Sequence, residues 1–265
     1  MTLRDTFDSV ADLYHRVRPR YPGELYDQIE RSTGGLTGAD VLEIGPATGI
    51  ASVELARRGA TLTGVELGAA LAERALENLK AWPSSRIIGG SFEEASATGL
   101  LELDSYDLVV AATSWHWVEP ERRYELAARH LRSGGSLAVW TAMHLFPSDV
   151  DPFFVDIQDV YDEIGESFPA DTVLPGTAGS RDLTGEFEAS GVFGTVEAHN
   201  FEWELSYSAA EYIELLSTFS DHIAMAPRKR QRLFNEIRSH LGARTDGLVR
   251  RHWGARLHIA QMLDR

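Results

Sequence analysis

The chain has no cysteine. A disulfide framework, a thiolate nucleophile and a cysteine-based metal site are therefore excluded. Positive charge is scarce: 40 acidic residues stand against 25 basic ones, a formal net charge of −15. Sequence-independent nucleic-acid binding needs a basic surface, and so does docking to an anionic membrane, so neither partner is expected. No apolar run approaches the ~20 residues of a membrane span. Met1-Thr2-Leu3-Arg4-Asp5 lacks the apolar core of a secretory signal. No cluster of metal ligands, internal repeat or low-complexity tract stands out. These absences predict a soluble, cytoplasmic protein that handles a small molecule and uses no metal. Its 265 residues suffice for a large core without staples.

The most informative stretch is Val41-Leu42-Glu43-Ile44-Gly45-Pro46-Ala47-Thr48-Gly49-Ile50. A short apolar run, read as a buried strand, enters a glycine-bracketed turn and continues as a helix ended by Gly59. Such a turn leaves backbone N–H groups beside the crevice at the strand's carboxyl end, where open α/β sheets bind ligands. Gly45 and Gly49 lack a Cβ, so a ligand can lie against the backbone. The spacing is E-x-G-x-x-x-G, which is neither the G-x-G-x-x-G of dinucleotide enzymes nor a lysine-bearing phosphate loop. Glu66 follows 21 residues after Gly45, at the end of the second expected strand (60–66). An acid there accepts hydrogen bonds from a ribose diol, and an ionised carboxylate can hold two hydroxyls.

Further elements follow in alternation. Helices are expected over 7–17, 23–32, 69–81 and 119–132, and strands over 86–90, 105–112 and 137–142. The fourth strand is nearly all apolar, as a strand buried on both faces should be. It runs into Thr113-Ser114-Trp115-His116-Trp117. This alternation argues for a doubly wound, mostly parallel sheet with helices on both faces. Prolines then break the rhythm over 144–185, which reads as a lid around one helix, 153–166. Helices at 183–190, 209–216 and 228–241 and strands at 195–205 and 252–260 complete the chain. The basic run Arg228-Lys229-Arg230-Gln231-Arg232 reads as a solvated helix face.

The stretch at Glu43–Gly49 resembles motif I of class I S-adenosylmethionine (SAM) methyltransferases, with Ala47 where the middle glycine is expected. The pattern F-D-x-x-A-x-x-Y-x-x-x-R-P-x-Y-P over Phe7–Pro22 and the segment Ala112-Thr113-Ser114-Trp115-His116-Trp117 resemble the type-11 subgroup akin to trans-aconitate methyltransferase. The resemblance implies a seven-stranded Rossmann-like methyltransferase fold with strands six and seven as a reversed hairpin. It implies a core of 36–143, 186–206 and 250–265, and a helical cap of 1–35, 144–185 and 207–249. It implies SAM as cofactor, lined by Tyr14, Arg18, Tyr21, Glu43, Gly45, Pro46, Ala47, Gly49, Glu66, Leu67, Ala111 and Thr113. Ser91 stands where relatives carry an adenine-binding acid, with Phe92 and Glu93 as neighbouring alternatives. His116 is either a general base, its ordinary pKa lying near neutrality, or a packing residue. Trp115 and Trp117 are expected to floor the acceptor site. The implied activity is methyl transfer to a small molecule, and the rival reading is a non-catalytic SAM-binding protein with a degenerate site. A nicotinamide-dependent oxidoreductase is disfavoured by the turn spacing.

Overall fold

Seven strands form one sheet in the order β3-β2-β1-β4-β5-β7-β6. The first five are β1 (Asp40–Ile44), β2 (Thr61–Glu66), β3 (Arg86–Gly89), β4 (Tyr106–Ala112) and β5 (Leu131–His144). All adjacent pairs among them run parallel. The last two are β6 (Glu197–Ser208) and β7 (Leu248–Gln261), with β7 inserted between β5 and β6. The structure is a computed structural model and describes residues 10–167 and 181–264. The expected helix start at Phe7 and the lid residues Pro169, Pro175 and Gly176 lie outside the described residues.

Helices connect the parallel strands: α1 (Ala11–Val17) and α2 (Gly23–Thr33) before the sheet, then α3 (Ile50–Arg57), α4 (Ala69–Asn78), α5 (Phe92–Ala97) and α6 (Arg123–His130). The order reverses direction between β1 and β4, so the carboxyl ends of these two central strands flank a switch point, where such sheets bind ligands. Four further helices precede β6 or lie between β6 and β7's start: α7 (Phe153–Asp156), α8 (Gln158–Ile164), α9 (Thr184–Ser190) and α10 (Ala209–Leu216). They are followed by α11 (Ser220–Ala224) and α12 (Pro227–Gly242).

Some boundaries differ from expectation for identifiable reasons. The lid helix is divided at Ile157 into α7 and α8. The chain over Pro120–Arg122 makes turns, and helix α6 begins only at Arg123. Ser133-Gly134-Gly135, just past the expected end of that helix at 132, lies inside β5, opposite a register shift between Tyr106 and Leu108. A Cβ on Gly135 would stand 2.9, 3.0 and 3.1 Å from the backbone carbonyl oxygens of Arg132, Tyr106 and Asp107, a crowding that favours glycine at this irregular start. Helix α5 was not foreseen, although Ser91 and Glu94 form a reciprocal capping box at its start.

The chain divides into two compact units. Among the described residues, one comprises 20–142, 181–201 and 255–264 and contains β1 to β4. Its core joins Leu42, Val109, Leu137 and Val139 of the sheet to Trp115, Tyr124 and Phe187. Helix α2 belongs to this unit, and Tyr26 on its buried face meets Trp140 of β5 edge-on. The other unit comprises 10–19, 143–167 and 202–254. Its core is a second cluster built on Phe153, Phe154, Tyr212, Leu215, Leu233, Ile237 and Trp253. In this unit Lys229 pairs with Glu166 at 2.7 Å and Arg232 pairs with Glu163. The basic run at 228–232 therefore neutralises acids of and just after α8 on a solvated face. Among the described residues no helix is long and apolar enough to cross a membrane.

Candidate functional site

The site begins at the turn after β1. Gly45, Ala47 and Gly49 have φ of 65°, 50° and 80°, so three residues in five occupy the left-handed region. Glycine does so freely, and alanine at a cost. A Cβ on Gly45 would stand 2.7 Å from the Ser114 Cβ, which excludes every side chain there. The Ser114 hydroxyl donates to the Ile44 carbonyl and ties the loop after β4 to the end of β1. Gly45 N–H donates to the Val65 carbonyl at 2.9 Å, and the Asn78 amide donates to the Thr48 carbonyl at 2.8 Å. Pro46 packs against β2, where a Cβ on Gly64 would meet its ring at 3.0 Å.

Glu66 ends β2 and is buried. One carboxylate oxygen accepts from Ala47 N–H at 2.8 Å and the other from Gly68 N–H at 2.9 Å. These two bonds fix the plane of the carboxylate. Beside it Leu67 is 43 % exposed, an apolar surface at the mouth of a strand end. Glu43 is 1 % exposed on β1. Its Oε2 accepts from Ser52 Oγ at 2.5 Å, and its Oε1 is buried with no partner. Burial pushes the Glu43 carboxyl up to about 7, against the lowering effect of the Ser52 hydrogen bond, and the nearby Glu66 charge adds to the rise.

The far wall of the switch point is the end of β4. Ala111 is buried within the strand, opposite Val139. Thr113 has φ of 60°, an outlier for a β-branched residue. Its Oγ1 accepts from Ala142 N–H at 3.0 Å and shares a 2.9 Å hydrogen bond with Tyr21 OH. Tyr21 also meets Trp140 edge-on at 5.7 Å. A strained residue held by tertiary bonds at a strand's carboxyl end is a recurrent mark of a functional site.

The three residues after Ser114 form one 3-10 turn, Trp115–Trp117, and have different surroundings. Trp115 is buried in the core, edge-on to Tyr124 at 5.2 Å and under the Arg123 guanidinium. That packing makes it a support of the loop rather than an exposed floor. His116 is exposed, and its ring lies 4.6 Å from that of Trp117. On the β3 side, Ser91 Oγ accepts from Glu94 N–H at 3.2 Å, Phe92 is buried against the His130 ring, and Glu93 accepts from Glu119 N–H at 3.0 Å. Ser91 is thus a helix cap that keeps its own hydroxyl proton for donation.

Tyr14 and Arg18 belong to the other unit. There the Arg18 guanidinium donates to Thr218 Oγ1 at 2.9 Å and to the Thr218 carbonyl at 2.6 Å. It lies over the Tyr14 and Phe219 rings at 4.7 and 4.2 Å. Sequence reading missed Ser52, Asn78 and Ser114, which hold the turn. The signal for Ser52 was available, since it follows Glu43 in the first turn of the helix that the glycine turn launches.

A family model described as a methyltransferase domain matches residues 42–139, the stretch that carries the turn, Glu66 and the end of β4. The chain is an S-adenosylmethionine-dependent methyltransferase. It is 26 % identical to an uncharacterised methyltransferase of Mycobacterium tuberculosis over 88 % of this chain and 84 % of the relative. It is 29 % identical to a probable SAM-dependent methyltransferase of Saccharomyces cerevisiae over 62 % of this chain and 54 % of that one. Its fold is that of a type II methyltransferase structure from Anaeromyxobacter dehalogenans, with a TM-score of 0.66, 23 % identity, and coverage of 94 % of this chain and 99 % of that one. A phosphoethanolamine N-methyltransferase of Haemonchus contortus bound to SAM aligns with a TM-score of 0.55 and 16 % identity over 100 % of this methyltransferase and 60 % of that chain.

Proposed function

We propose that this methyltransferase acts on a small-molecule acceptor and holds SAM at the switch point between β1 and β4, with Glu66 as the ribose-binding acid. The observation that carries this reading is Glu66: an acid at the end of β2 has both oxygens oriented by backbone amides of the turn after β1 and of its own strand end, and exposed Leu67 lies alongside. The residues present fit the cofactor. Gly45 leaves bare backbone at the turn, and the orphaned Glu43 Oε1 offers a buried acceptor to a cationic group. The bound cofactor supplies an electrophilic methyl group on a sulfonium. The protein's part is to hold donor and acceptor in line, which can provide much of the acceleration. His116, exposed beside Trp117, is the group we assign to take a proton from the acceptor. Trp117 keeps that ring in place, and Trp115 anchors the loop from below. Ser91 and Leu67 are assigned to the adenine side, and Tyr21 to the methionine side. The acidic balance of the chain favours a small acceptor over nucleic acid.

Calorimetric titration with S-adenosylhomocysteine tests the assignment. The wild type should bind it, and Glu66→Ala should weaken binding at least tenfold while still unfolding cooperatively on heating. Equal binding by the variant would remove Glu66 from the site.

A further inference from the structure

Arg251, on β7, is 4 % exposed. Its guanidinium lies 4.1 Å from the Phe154 ring centroid and 4.7 Å from that of Phe146, and those two rings are nearly perpendicular. Nε is buried with no acceptor. Among the described residues no carboxylate forms an ion pair with Arg251 and no oxygen accepts from it. The titratable groups that face it are Tyr212, Tyr161 and Tyr207. Burial raises all three phenols above their ordinary range, so at neutral pH they carry no charge to offset the cation. Tyr161 shares a hydrogen bond with His222, and Tyr207 accepts from Trp253. Nearby His144 is held neutral by burial, with Arg251, Arg18 and His222 adding to the depression, and its Nε2 is also buried without a partner.

An unpaired guanidinium this deeply buried is costly, and proteins normally pair such a charge. The other buried arginine among the described residues, Arg123, has both an anion and a carbonyl: it pairs with Glu186 and donates to the Trp115 carbonyl. From the uncompensated charge, the aromatic corner and the second orphaned donor-acceptor group beside it, we infer that Arg251 is the anchor of a binding site for a small molecule bearing one carboxylate on an apolar body. The faces of the guanidinium are covered by rings, and its edge carries the parallel N–H pair that matches a carboxylate. A single uncovered charge matches a monoanion, and phosphate would bring a second negative charge into the same aromatic surroundings. The site lies within one unit, among Phe146, Phe154, Tyr161, Tyr212 and His144, and stands independently of where the methyl acceptor binds.

Thermal unfolding of the whole protein at neutral pH is the test, with benzoate, phenylacetate and hexanoate as probes at 10 mM. Benzamide, phenylacetamide and inorganic phosphate are the controls. At least one carboxylate should raise Tm by about 2 °C or more, and its amide and phosphate should not. Arg251→Met should abolish the shift, and Arg251→Lys should weaken probe affinity at least tenfold, because lysine keeps the charge but loses the fork. Retained S-adenosylhomocysteine binding shows that each variant is folded. The inference is overturned if no carboxylate shifts the wild type, if the shift survives in Arg251→Met, or if amides and phosphate shift Tm equally.

Discussion

Tyr21 OH and Thr113 Oγ1 lie 2.9 Å apart, joining the start of the chain's first sheet-bearing unit to the end of its central strand. Thr113 sits at a φ of 60°, and this bond is one of two that hold its side chain there. Tyr21→Phe removes the bond and keeps the ring against Trp140. It should cost about 1 kcal/mol in urea denaturation and weaken S-adenosylhomocysteine binding several-fold by calorimetry. A variant as stable as the wild type would show that Ala142 N–H alone is enough to hold the strained residue.

Ala47 makes the opposite prediction. An L-residue in the left-handed region costs about 1–2 kcal/mol, and the extra chain entropy of glycine offsets about half of that. Ala47→Gly should therefore stabilise the protein by about 0.5–1 kcal/mol, with the 2.8 Å bond from residue 47 to Glu66 intact. The urea midpoint reports this directly, and a lower midpoint would refute strain at the turn.

Glu43 couples stability to pH. Its carboxyl titrates at about 7 when folded, against an ordinary 4.5. Below 4.5 both states are protonated and the shift has no effect. Between 4.5 and 7 the unfolded state releases its proton first, so stability falls as pH rises, and it stays reduced above 7. Glu43→Gln keeps the acceptor for Ser52 and removes the titration. Its advantage over wild type should grow from near zero at pH 4.5 to about 3 kcal/mol at pH 8. A constant difference across that range would show that Glu43 does not titrate there.

Trp115 and His116 are adjacent in sequence but should respond in opposite ways. Trp115→Ala empties a packed core position and should cost about 3–5 kcal/mol. His116→Ala alters an exposed ring and should stay within about 0.5 kcal/mol of wild type. If His116 takes the acceptor proton, its variant should lose about 10²–10⁴ in turnover while keeping cofactor affinity. Unchanged turnover with any accepted substrate would end that assignment.

The strand–turn–helix at Val41–Arg57, the spacing to Glu66 and the apolar run of β4 were legible because each depends on local chemistry: glycine conformation, strand length and burial on both faces. The burial of Trp115 was not legible, because a three-residue 3-10 turn has no periodicity from which to read a face. The cap at Ser91 was legible in principle through its pairing with Glu94, but the same serine also suited a ligand, and local sequence cannot decide between the two. Arg251 lay just before the expected strand 252–260, where an arginine ordinarily faces water; β7 starts earlier, at Leu248, and the packing of Phe146 and Phe154 on the guanidinium shows the burial.

The turn after β1 takes its hydrogen bonds and its shape from distant groups: the Val65 carbonyl, Glu66, Asn78 and Ser114. A peptide spanning only that turn would lack all four. Closing loops to residues tens of positions away is entropically slow, so these contacts form after the strands have paired. The surface assigned to the cofactor is thus a product of the finished sheet, not a motif that folds by itself and waits for the rest of the chain.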